Sequence, residues 1–468
     1  MLTETKMIEY NLNQIRHSRR DFLVNSMGGF GALALAGLVS RQAAGAGRTH
    51  FAPKAKSIIY LYMEGGPSQV DTFDYKPLLE KQAGKALPFD KPATVFNSSN
   101  KVMPSPFKFK QHGESGSWVS SVLPHLATCV DDMTFVHSMH HDVSNHSAAC
   151  YMSHSGDPIA GRPSLGSWMS YGLGSENEEL PGFVVLDCGQ APSGGVFTWS
   201  SGFLPSVHGG VKFHPGKTSV EFLDRLESSA ERQQAKLRSI LELHRLGQQG
   251  NADERLESVI ASYEKAARMQ TAVPELLELR DESPATRKLY GLDSPQTKLF
   301  GSRCLIARRL VERGVRFVEI FSPRVTADRW DQHGGLRQGH INNCLAVDQP
   351  IAGLIKDLKS RGLLNDTIIL WGGEFGRTPS SQGNDGRDHN PFGYTVFLAG
   401  GGFRPGVHYG STDEFGYYAQ QDKVHLHDLH ATILHQMGID HERLTYRFGG
   451  RDYRLTDVHG HVVNGIIQ

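Results

Sequence analysis

The chain has 468 residues, 39% of them apolar and 21% charged, the proportions of a globular protein rather than a disordered or fibrous one. Lys plus Arg equals Asp plus Glu at 49 each, so no global field steers the chain toward nucleic acid or anionic membrane. Its 5 cysteines are widely spaced and include no C-x-x-C pair, which argues against a disulfide framework.

The first element in chain order is a leader. Ser18-Arg19-Arg20-Asp21-Phe22-Leu23 precedes an apolar, glycine-rich stretch from Val24 to Val39, and the small residues Ala43-Ala44-Gly45-Ala46 follow. A basic start, a short apolar middle and a small-residue end read as an export signal over 1–46 rather than a membrane span. The middle is too short and too rich in glycine to cross a hydrocarbon core of about 30 Å. The paired arginines followed by Phe-Leu resemble a twin-arginine signal. The expectation is a protein exported already folded by the twin-arginine machinery, periplasmic or secreted, with no stable membrane span after processing. The alternative is a chance Arg-Arg before a buried helix.

The remainder, 50–468, opens with Ser57 to Met63, a continuous apolar run that reads as a buried parallel strand. Further strand candidates are Met133 to Val136, Phe183 to Leu186, Val315 to Phe321, Thr367 to Trp371 and Tyr394 to Ala399. Helical patterns lie between them, at Ser302 to Arg313 and at Leu345 to Ser360, the latter ending before Arg361-Gly362. Strands alternating with helices imply an α/β, doubly wound, mostly parallel sheet covered on both faces. One segment departs from that rhythm. Residues 216–298 are largely charged and helical in period, which predicts a helical insertion in the α/β domain, either a substrate lid or a solvated excursion.

In such sheets ligands bind beyond the carboxyl ends of the strands, so polar clusters there carry the most weight. The first is Glu64-Gly65-Gly66-Pro67-Ser68, with Asp71 and Asp74 after it. Its carboxylates could hold a hard cation, or Asp71 could simply cap a helix. The second is the run His137 to His154. Ser144 and Ser147 there are hydroxyl candidates near a helix N-terminus, whose dipole and N–H groups would favour attack on an anionic ester. His146 is a ligand or general-base candidate, and capping with structural histidines is the alternative. The third is Asp331-Gln332-His333, an oxygen and an imidazole able to point at one cation. The fourth joins Glu374 and Arg377 to Arg387 and His389. A carboxylate such as Glu374 at a buried strand end needs a cation or hydrogen-bond donors. Either an arginine pairs with it, or Glu374 and His389 bind metal while an arginine grips an anionic substrate.

With these residues in view, the motifs GGPSQVDTFD, WDQHGG, EFGRTP, GRDHNP, FLAGGGFRPGVHYGSTDE and HDLHATILHQMGID resemble the DUF1501 family. The resemblance runs from the leader to the closing GRDYRLTDVHGHVV. It implies the fold of the alkaline phosphatase and sulfatase superfamily and a site binding one or two divalent metals (Zn, Ca, Mn or Mg) for sulfate or phosphate esters. By that resemblance Asp331, His333 and His389 hold one cation, and Glu64 or Asp71 with Glu374 holds a second. A hydroxyl of Ser144 or Ser147, near His146, attacks, and Arg377 or Arg387 neutralises a small or polymeric anionic ester. Two departures from the superfamily pattern mark this chain: Phe375 stands where that pattern has an imidazole, and no sulfatase-type Cys-x-Pro-x-Arg signature occurs. They admit a second expectation, a non-catalytic protein of the same fold that binds an anionic polysaccharide or a partner at the cell envelope.

Overall fold

The structure is a computed structural model that describes residues 49–90, 92, 99–189, 191–213, 232, 235, 238, 239, 242, 268, 269, 273–326 and 328–468. The export signal expected at 1–46 lies outside the described residues, as does most of the insertion expected at 216–298. The described part of that insertion includes a short helix, Pro284–Leu289.

The strands follow in chain order. They are β1 (Ser57–Tyr62), a small pair β2 (Phe109–His112) and β3 (Ser117–Ser120), β4 (Met133–His140), β5 (Phe183–Leu186), β6 (Val211–Phe213), β7 (Phe317–Phe321) and β8 (Thr367–Gly372). Then come a hairpin of β9 (Gly376–Gln382) and β10 (Gly386–Asn390), β11 (Tyr394–Ala399), β12 (Val407–Tyr409), the short pair β13 (Ser411–Thr412) and β14 (Ala419–Gln421), and β15 (Val424–His425). The central sheet has the order β12-β4-β11-β8-β1-β7-β5-β6, with β15 also on β4. Every pairing in it is parallel except those of β11, which runs against β4 and β8. The carboxyl ends of β1, β4, β7 and β8 therefore share one edge of the sheet.

All six residues of β1 are buried, as expected for a parallel strand covered on both faces. Alternation sorts them. Ile59 and Leu61 join the core that holds Leu305 and Ile351, from the helices Lys298–Glu312 and Leu336–Ser360. Ile58, Tyr60 and Tyr62 join the opposite core with Trp168 and Ile433, from the helices Leu165–Leu173 and Leu426–Gln436. Each such side chain contributes about 1.5–3 kcal/mol by leaving water, and the two-sided burial gives the doubly wound architecture its layers.

Element types agree with the sequence pattern, and several boundaries differ. The strand expected at Met133 to Val136 runs on to His140 because β15 pairs with its end. The helix expected from Leu345 begins at Leu336, behind Gly335 at φ 62°, and contains Pro350. Among the described residues no helix is long and apolar enough to cross a membrane.

Candidate metal centre

Four loops meet at the shared edge. After β1 the chain turns through Gly65 and Gly66, both at positive φ (105° and 76°). A Cβ on Gly65 would lie 2.5 Å from the Asp331 nitrogen, so only glycine lets the two loops pack this closely. The loop after β7 carries Asp331 and His333. The loop after β4 ends at Asn145, whose side chain caps the helix His146–Ser155 by accepting from the N–H groups of Ser147 and Ala148. The β9–β10 hairpin supplies Arg377 and Gln382 on one strand and Arg387 and His389 on the other.

His146, Asp331, His333 and His389 converge there, each offering a ligand atom within 4.8 Å of every other. Asp331 Oδ1 lies 3.1 Å from His146 Nε2, 2.9 Å from His333 Nε2 and 3.2 Å from His389 Nε2. Each ring is fixed from behind. His146 Nδ1 is 2.6 Å from Glu374 Oε1, His389 Nδ1 is 2.6 Å from the Ser144 carbonyl, and His333 Nδ1 meets Gln382 Oε1. These three partners are all acceptors, so every Nδ1 carries a proton and every Nε2 faces inward. His333 Nε2 and His389 Nε2 are 3.1 Å apart. Two bare lone pairs repel at that distance, so a proton or a metal ion has to stand between them. Three imidazole nitrogens and one carboxylate oxygen in closed array fit a divalent metal ion.

Burial works against the Asp331 charge, but hydrogen bonds from His146, His333 and His389 and the Arg377 guanidinium hold its carboxyl well below the usual carboxylate range. Burial also lowers His146, yet bonds to Asp331 and Glu374 outweigh it and push the ring up to about 9. His389 is pulled down to about 4, chiefly by burial, with its bond to Asp331 opposing. Beside the cluster opens a cavity of about 370 Å³ lined by Glu64, His146, Ser193, Arg324, Arg329 and Asp331, among others.

The expected residues divide sharply. Asp331, His333 and His389 come together, and His146 joins them on the ligand side. Asp71 and Arg387, expected on metal and substrate, are instead bound to each other at 2.7 Å with neither side chain exposed. The short helix Gln69–Thr72 turns Asp71 under the hairpin, where Ser68 Oγ also donates to it at 2.5 Å. Arg387 spends its other N–H groups on the carbonyls of Thr378 and Met103. Glu64, expected on a second cation, is ion-paired with Arg329 and accepts from the Ser193 backbone N–H and hydroxyl. Glu374 lies behind His146 and takes the Gly65 N–H at 2.9 Å. Arg377 is fully buried and donates to Asp331 at 2.5 Å and to the Gly65 and Gly66 carbonyls rather than projecting toward a ligand.

Of the two hydroxyl candidates, Ser147 donates to the Ser193 carbonyl at 3.1 Å, and Ser144 contributes its carbonyl to His389. The helix N-terminus expected to receive an anion already spends two N–H groups on Asn145. Phe375 packs as an apolar wall, 4.5 Å from His389 and 4.9 Å from His146 between ring centroids. Sequence reasoning did not find Gln382, Ser193 or Arg329, which occupy no motif and act through partners distant in the chain.

Fold and site together define a doubly wound α/β protein with a His/Asp cluster at its sheet edge. Residues 55–467 match the sequence profile of a family described as a protein of unknown function, DUF1501. The chain belongs to the DUF1501 family.

No curated protein matches the chain. Among solved structures it is similar to a sulfatase from Pseudoalteromonas sp. (14% identity, 88% of this chain and 72% of that one, TM-score 0.35). It is also similar to a phosphonate monoester hydrolase from Silicibacter pomeroyi (13% identity, 68% of each chain, TM-score 0.34). The alkaline phosphatase from the Antarctic bacterium TAB5 overlaps at 8% identity over 76% of this chain and 94% of that one, with a TM-score of 0.29.

Proposed function

We propose that the protein is an exported, metal-dependent hydrolase of sulfate or phosphate esters. The observation that carries this reading is the convergence of His146, Asp331, His333 and His389 beside an open cavity. Three imidazole nitrogens favour Zn over Mn, Ca or Mg, which suit oxygen shells. A bound cation would supply a Lewis acid for the ester oxygen.

The chain's own residues do the rest. Three backed imidazoles and Asp331 fix the place of that charge, and Phe375 keeps water from one side. Arg324, beside the Arg329–Glu64 ion pair, brings positive charge to the cavity wall for a small or polymeric anionic ester. The leader over 1–46 supports transport by the twin-arginine machinery and work in the periplasm or outside the cell.

A specific observation favours a second reading, a non-catalytic binder of an anionic polysaccharide or partner protein: Arg377 and Arg387 are both locked in internal contacts. Purified protein assayed on aryl sulfate and aryl phosphate with Zn, Mn, Mg and Ca separates the two. Turnover that needs metal and disappears in His389→Ala supports the hydrolase. Stoichiometric metal without turnover favours the binder, and absence of bound metal sinks the hydrolase reading.

A further inference from the structure

We infer that Glu374 is a positioning residue, a buried carboxylate that orients His146 toward the cation rather than binding the cation itself. The inference rests on the metal reading above and goes beyond it by assigning the group behind the ligands.

Glu374 sits where β8 leaves the sheet, and its side chain has no exposure. Its Oε1 is held from two directions, by the Gly65 N–H at 2.9 Å and by His146 Nδ1 at 2.6 Å. Gly65 packs close to the Asp331 loop, where an added Cβ would lie 2.5 Å from the Asp331 nitrogen. Oε1 is thus held in place before any ion arrives, while Oε2 is buried and takes no hydrogen bond among the described residues. His146 opens its helix and lies between two carboxylates, Glu374 on Nδ1 and Asp331 on Nε2.

Only one of those carboxylates shares its oxygen with the other imidazoles. Asp331 Oδ1 faces all three Nε2 atoms and marks the ion's place, whereas Glu374 meets His146 alone and stands outside the group of converging ligand atoms. The three backing acceptors also differ in charge. His389 has a carbonyl and His333 has an amide oxygen, while His146 has an anion. A carboxylate behind a ligating imidazole fixes its tautomer and raises its basicity, and losing such a partner typically weakens metal affinity by about 10–100-fold. Glu374 therefore makes His146 the most basic of the three rings as a ligand.

Equilibrium dialysis of Zn²⁺ against the full chain tests this, with near-ultraviolet circular dichroism as the check on folding. Wild type is expected to bind one ion. Glu374→Ala should weaken binding by about 10–100-fold. Glu374→Gln, which keeps an acceptor for Nδ1–H but removes the charge, should fall between and carries the comparison if the alanine variant does not fold. In a His146→Ala background the Glu374 substitutions should cost nothing further, which a merely structural carboxylate would not satisfy. The inference is overturned if both Glu374 variants bind as wild type does, or if their loss persists undiminished without His146. A second ion that vanishes with Glu374 would also overturn it, since Glu374 would then be a ligand. Wild type binding no ion at all overturns the metal reading and the inference with it.

Discussion

Two carboxylates at the same sheet edge meet opposite fates. Asp71 is closed: two hydrogen bonds to Arg387, one from Ser68, and no exposure. Asp331 is open: it borders a cavity and faces three imidazole Nε2 atoms that gather around it. Both carry arginine, yet Arg387 satisfies Asp71 outright, while Arg377 leaves room around Asp331 for a further cation. A polar cluster becomes a candidate for chemistry when its donors and acceptors fail to cancel among themselves. Residue type alone does not distinguish the two cases.

That contrast can be broken by mutation. The largest effect on stability is expected from Arg387→Ala, which strands a buried carboxylate and should cost about 3–5 kcal/mol, read by denaturant unfolding. Zn²⁺ stoichiometry in the protein that stays folded should be unchanged. His389→Ala should do the reverse. It should abolish tight metal binding in equilibrium dialysis, and a chelator that lowers the wild-type melting temperature should leave this variant's unmoved.

Acidity sharpens the same comparison more gently. Burial opposes the Asp71 charge, but Arg387, His340 and Ser68 hold its carboxyl below the ordinary value of 3.8. A carboxylate depressed in the folded state stabilises above the unfolded value and loses that contribution as pH falls through the folded one. The Asp71 contribution should therefore be complete at neutral pH and fade only in acid below about 4. Unfolding free energies of wild type and Asp71→Asn measured from pH 7 downward should draw together in that range. A gap independent of pH would show that the pair contributes nothing through its charge.

The smallest effect is expected from Phe375→His. The imidazole expected from the superfamily pattern is restored, but Glu64 remains neutralised by Arg329. Metal stoichiometry should stay at one ion per chain, and a second ion appearing with this single change would refute the pairing as the obstacle.

Much of this was readable from the sequence, for a physical reason. Buried strands write themselves as short apolar runs, so β1, β5, β7, β8 and β11 were legible, and the carboxyl ends of β1, β7 and β8 located the site. Asp331, His333 and His389 were legible because glycine-rich loops at strand ends rarely carry such side chains without cause. The pairing of Asp71 with Arg387 was not, since it joins residues 316 apart and depends on how a four-residue helix tucks under a hairpin. The same limit hid Gln382 behind His333. It also cast Glu374 as a ligand, because the sequence shows a carboxylate at a strand end but not which imidazole stands in front of it.

The β9–β10 hairpin places Arg387 and His389 two residues apart, with the ladder slipping between them. One residue locks the scaffold and its near neighbour belongs to the His/Asp cluster. Drift at position 389 would thus dismantle the cluster while leaving the backbone upright, and a descendant of this chain could shed the proposed cation site without any visible scar in its architecture.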